Sequence, residues 1–260
     1  MLPLTSTVES GEYERKLREL QRLTRRSWPE ILRREARLMA VSLMRSTQPY
    51  GDDATARSVG EKAVARDISR VYGTLSDGFA SIAATEDGQL ADAFYYFGEI
   101  GQVSVAQKIL ESSQADLRNV PIGRLDPALH QGRRDQRGRI PRAAKILQLI
   151  RDPRAIAAYT RRRQRYVGTA KSGWAACARI LGGTSGIPGW VTRNAGRGGV
   201  MDRSGVEGAP AITISNQVSY IDKAFNRAEA GNAFAIGRRR LIRQVEFALR
   251  ANARKVRLAA

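Results

Sequence analysis

The chain has 260 residues, 42% hydrophobic and 27% charged, enough to bury a substantial core. Its 44 Lys and Arg against 25 Asp and Glu give a formal net charge of +19, which implies acidic partners such as nucleic acid or acidic protein faces. No apolar run is long enough to span a bilayer, and the first residues lack the pattern of a signal peptide, so no membrane partner is expected. Cys177 is the single cysteine, which excludes an intrachain disulfide.

Residues 1–10 read as an N-terminal arm. Periodicity then predicts a helix over 12–26, a reset at Ser27-Trp28-Pro29, and a second helix over 29–46 with Leu32, Ala36, Met39 and Leu43 on one stripe. A helix over 56–72 turns Val64, Ile68, Val71 and Tyr72 inward. Residues 74–84 are compatible with a strand or loop, and short helices are expected over 90–97 and 103–112. Residues 115–142 read as an extended basic arm, because three prolines, several glycines and the run RRDQRGR leave little to bury.

The segment 145–150 (KILQLI) is a strand candidate, and Asp152-Pro153 is a cap and first turn for a helix ending at Arg165. The organising stretch is YTRRRQRYVGTAKSGWAACARILGGTSGIPGWVTR, residues 159–193. Gly168 separates its basic helix from a second helix over 169–181, in which Trp174, Ala178 and Leu181 share one face. Residues 194–208 read as a Gly-rich loop, and 211–215 (AITIS) as a strand. A helix is expected over 220–228, a break at Gly231, and a final helix over 234–249 with Ile242, Val245 and Leu249 inward. A basic tail, 251–260, closes the chain.

The expected fold class is therefore α+β, mostly helical, with a small sheet packed against helices and long extended arms. The expected organisation is a helical part over 11–114, the basic arm over 115–142, and an α+β part over 143–250 completing the same domain. Trp174, Trp190 and Tyr220 are the core candidates.

Few groups suggest chemistry. His130, the single histidine, has Asp126 and Asp135 nearby in sequence but no second His or Cys ligand, and reads as an exposed loop residue. The glycine runs fit neither GxxxxGK(S/T) nor a GxGxxG between strand and helix. Cys177, beside Trp174, reads as a buried structural thiol. No enzyme activity, catalytic residue, metal or cofactor is expected. The contact candidates are Arg133, Arg134, Arg137, Arg139, Arg161, Arg162, Arg163 and Arg165, whose arginines alternate with Tyr159 and Tyr166. They suit phosphates and bases or an acidic protein, and a solvated helix face is the bland alternative.

In their order, several motifs resemble the neck and tail-completion (minor tail) proteins of long-tailed bacteriophages. They are the loop at Thr47–Gly51, KAVARDISRVY (Lys62–Tyr72), the stretch Tyr159–Gly183, IPGWV (Ile187–Val191) and ITISNQVSYI (Ile212–Ile221). The resemblance covers about 30–72 and 145–250. It implies an α+β subunit of a homo-oligomeric ring at the head–tail junction. Such a ring joins the portal-connector (adaptor) protein to the tail terminator or tail tube protein and leaves a channel for DNA, itself a candidate partner. Many such proteins are shorter, which marks 73–144 as an insertion whose role the resemblance does not reach. The expected location is the virion, after assembly in a host cytoplasm. The rival reading is a basic nucleic-acid-binding structural protein.

Overall fold

The computed structural model describes residues 10–85, 88–134, 140–206 and 210–258. Residues 1–9 of the expected N-terminal arm, and the contact candidates Arg137 and Arg139, lie outside them. The protein is mostly helical α+β with a small sheet packed against helices. It divides into two compact units: residues 1–53 with 168–260, and residues 54–167. Of the part expected to complete one domain over 143–250, residues 143–167 fall in the second unit and residues 168–250 in the first.

The chain opens with α1, Ser10–Arg45, one helix where two were expected. Pro29 lies inside it, despite a cost of about 3 kcal/mol for an interior proline. The apolar stripe resumes directly after the proline, and the helix ends among the buried residues Ala40, Val41, Leu43 and Met44.

The second unit begins with α2, Ala54–Ser69, followed by β1, Tyr72–Thr74, and α3, Leu75–Ala83. Asp77 starts α3 by accepting from the Thr74 backbone at 2.6 Å and its hydroxyl at 2.9 Å. Helices α4 (Gly88–Glu99) and α5 (Val103–Ser112) lead to β2 (Ile122–Gly123) and α6 (Pro127–Gly132). Next come β3, Gln148–Ile150, and α7, Pro153–Gln164. Asp126 and Asp152 cap α6 and α7, each accepting a backbone N–H at 2.9 Å with proline in the first turn.

The three strands form a parallel sheet in the order β1-β3-β2, with Gly73 opposite Leu149 and Leu149 opposite Ile122. All three residues of β3 are buried, as a central parallel strand requires. Leu149 faces a core with Leu75, Ile82, Phe94 and Leu110, whereas Ile150 and Tyr72 face one with Ile68, Val71, Ile140 and Tyr159. The described part of 115–142 is thus no extended arm. It supplies an edge strand, a capped helix and the buried residues Val120, Ile122, His130 and Ile140. Prolines and glycines punctuate short ordered pieces here, and the apolar residues are too sparse to show a period.

The chain then returns to the first unit. Gly168, at φ +98°, turns it into α8, Thr169–Ile180, and α9, Gly189–Thr192, follows. The expected loop at 194–208 contains instead β4, Gly198–Arg203, antiparallel to β5, Ala211–Asn216. Gly196 and Gly198 reflect close approach rather than a loop. A Cβ at Gly196 would collide with the Ser172 carbonyl, and one at Gly198 with the Gly173 carbonyl and the Cys177 sulfur.

A short α10, Ile221–Ala224, precedes α11, Arg227–Leu258, so 220–228 is not one helix. Asn226 caps α11, its side-chain oxygen accepting from Ala228 N at 3.1 Å and Glu229 N at 3.3 Å. Gly231 does not break α11, and the supposed tail is helical as far as Leu258. Packing along α1 outweighs the roughly 1 kcal/mol that an interior glycine costs.

Candidate basic interface and the buried polar centres

Trp174 and Trp190 are buried as expected, at 9% and 8% exposure, but Tyr220 is 43% exposed and no core residue. Tyr220 sits at the head of the four-residue α10, too short to carry an apolar face inward. Trp174 lies against Phe225, with ring centroids 5.9 Å apart.

Around Trp190 the sequence reading missed a centre. Lys171 shares a helix face with Trp174, Ala175 and Ala178, and it is fully buried. Its Nζ donates to the Met44 carbonyl at 2.7 Å, in the last turn of α1, and to the Gly51 carbonyl at 2.8 Å. A cation is favoured there because carbonyls at a helix C-terminus lack intrahelical donors. The ammonium also lies 5.9 Å from the centre of the Trp190 ring. Trp190 Nε1 donates to the Asp52 carbonyl at 3.3 Å, and its ring occupies the space that a Cβ on Gly168 would need. Both points where the chain leaves and re-enters this unit are therefore held against one indole. Burial pulls the Lys171 pKa down to about 7, against the opposing pull of Asp52 and Glu229. The signal was present in the sequence: a lysine one turn before Trp174 on the same face.

The motifs at 169–183 and 212–221 prove to be packing partners. Asn216 Nδ2 donates to the Ala170 carbonyl at 2.8 Å, filling the space left by the missing side chain of Gly173. Cys177 Sγ donates to the Ser215 carbonyl at 3.2 Å, and burial raises its pKa. The expected structural thiol is therefore what the fold contains.

His130 corrects an expectation. It is fully buried, not an exposed loop residue, with Nδ1 3.1 Å from the Tyr159 hydroxyl and the two rings edge to face. Tyr72 meets the same Tyr159 edge to face, and its hydroxyl donates to the Asp126 carbonyl at 2.5 Å. Burial first, then Arg134 and Arg163, lowers the His130 pKa to about 4. Burial likewise pushes the Tyr72 hydroxyl up to about 12. A neutral imidazole locked against a tyrosine joins α6 to α7. Sequence periodicity could not show this, because α6 is too short to have a period.

That joint also assembles the basic surface. Arg133 and Arg134 follow α6, and Arg134 and Arg163 both act on His130, so two runs distant in sequence converge. On α7, the exposed residues Arg154, Ala157, Ala158, Arg161, Arg162 and Arg165 recur at one-face spacing. Arg163 is half-buried, 5.6 Å from the Tyr166 ring centre, and Arg162 lies 5.5 Å from that of Tyr159. The stripe presents guanidinium groups over small side chains, a surface that can approach a phosphate backbone or a row of carboxylates.

Among the described residues, no group of His, Cys, Asp and Glu is arranged to hold a metal ion, and no helix is long and apolar enough to cross a membrane. Compared with known proteins, the chain matches no family model, no curated protein and no solved structure.

Proposed function

We propose that the chain is a structural subunit of the head–tail junction of a long-tailed bacteriophage. In this reading it is a neck or tail-completion protein that forms a homo-oligomeric ring between the portal-connector (adaptor) protein and the tail terminator or tail tube, leaving a DNA channel. The observation that carries this reading is where the unusual groups lie. Lys171 and His130, the strongly perturbed bases, are sealed inside and joined to internal partners, while the exposed features are extended basic surfaces on helices. Such a molecule works by its faces. The ordered motifs 169–183 and 212–221, which resemble that family, also form one packed unit, as parts of a common framework would.

The test is assembly. Purified chain is imaged by negative stain and weighed by native mass spectrometry, and variants are supplied to heads and tails lacking the protein. Rings, and complete particles only when the protein is added, support the reading. A monomer that leaves heads and tails unjoined refutes it. Reversal of the exposed Arg161, Arg162 and Arg165 to Glu is expected to block joining. Arg163 is left out because it borders His130.

The α7 stripe favours a second reading, a basic nucleic-acid-binding structural protein. A monomer whose DNA affinity falls steeply with salt, and is lost in the same triple variant, supports that one instead.

A further inference from the structure

Helix α11 turns polar groups toward α1, beside the half-buried Leu241 and Val245, and leaves several large apolar groups outside. Toward α1 it buries Ala230, Gly237 and Asn252, and a polar knot in which Glu35 receives Arg240 Nε at 3.2 Å and Gln244 Nε2 at 2.9 Å. A Cβ at Gly237 would collide with the tip of Met39, so the two helices approach closely there. Outward it carries large apolar side chains: Phe247 is 75% exposed, Phe234 52%, Ile236 50%, Ile242 47% and Leu249 40%. The expectation that Ile242, Val245 and Leu249 face inward is overturned for Ile242 and Leu249, whereas Val245 is half-buried. An amphipathic helix normally turns such groups inward. Exposed guanidinium groups of Arg238, Arg239, Arg243, Arg250 and Arg254 lie among these apolar groups, and from Phe234 to Arg254 the sole carboxylate is Glu246.

We infer that the outer face of α11 is a docking surface for an acidic amphipathic helix of another protein. Charge selects the occupant. A second copy would set the same guanidinium-rich face against itself, in a chain that already carries +19. A phosphate backbone would pair the arginines and leave Ile236 and Phe247 uncovered. An acidic helix with its own apolar stripe neutralises Arg239, Arg243 and Arg250 and covers Ile236 and Phe247, which share their row, in one contact, the groove-and-helix mode of recognition. This face would select such a partner in any assembly, so its failure and the failure of the head–tail reading are separate results.

The test uses the full chain and two labelled synthetic peptides of equal negative charge. One places leucines at i, i+3, i+4 and i+7 opposite its glutamates; the other carries glutamine at those positions. Fluorescence anisotropy should show the amphipathic peptide binding at least about tenfold tighter. Ile236→Ser with Phe247→Ser should erase that preference, and Arg239→Glu with Arg243→Glu and Arg250→Glu should weaken both peptides. Lys108→Glu with Arg118→Glu, exposed cations outside α7 and α11, should change neither. All these side chains are exposed, and tryptophan emission checks that each variant is folded. Equal binding of the two peptides would reduce the face to plain charge and overturn the inference. So would no binding, a dimer abolished by Phe247→Ser, or a duplex oligonucleotide whose affinity depends on the α11 arginines.

Discussion

Replacing Lys171 with methionine keeps an unbranched stem of about the same length and removes the ammonium. Two large effects then oppose each other. Holding this lysine with its pKa at about 7 instead of 10.5 costs the charged form about 5 kcal/mol, at 1.36 kcal/mol per pH unit. Against that relief, the Met44 and Gly51 carbonyls lose their donor, at about 1–3 kcal/mol each. Near pH 7 the variant should therefore differ from the parent by no more than about 2 kcal/mol, in either direction. The pH dependence is more decisive. Because the folded pKa is depressed, the unfolded chain binds the extra proton between about pH 7 and 10.5, and stability rises with pH across that window. From pH 7 to 9 the parent should gain about 2 kcal/mol relative to Lys171→Met. All three tryptophans, Trp28, Trp174 and Trp190, belong to the unit that contains Lys171, so denaturant unfolding followed by tryptophan emission reports that unit. A parent-minus-variant difference that stays flat from pH 7 to 9 would refute a buried, depressed lysine.

Trp174→Ala should destabilise the same unit by about 3–5 kcal/mol, read by emission of the remaining tryptophans; an unchanged midpoint would mean that the ring is not packed on Phe225. His130 also has a depressed folded pKa, so its contribution is present above pH 6.5 and is lost as pH falls toward 4, by about 2 kcal/mol at pH 4.5. Hydrogen exchange at the β3 amides should show that loss in the parent and not in His130→Phe, and equal acid sensitivity of the two would count against a buried neutral imidazole.

The sequence by itself determined the elements that carry their own local code. The helices over 103–112, 153–164 and 169–180 were legible from apolar period, Asp-Pro caps and the left-handed Gly168, and AITIS from its alternation and β-branching. The fold class followed from them, as did the burial of Trp174, Trp190 and Cys177 and the exposure of Arg161, Arg162 and Arg165.

Only the tertiary structure decided what depends on a distant partner. Pro29 and Gly231 signal breaks locally, yet both sit within helices that pack along each other. Gly196 and Gly198 look like loop residues until α8 is placed beneath them. The direction of α11 was hidden because Glu35 of another helix draws Arg240 and Gln244 inward, while Ile236, Ile242 and Phe247 stay outside. His130 and Lys171 are polar types that composition assigns to the surface; each is buried only because a partner far along the chain, Tyr159 for one and the end of α1 for the other, supplies its hydrogen bond. Local pattern reports the preferences of a segment, and burial of a polar group is a property of the pair.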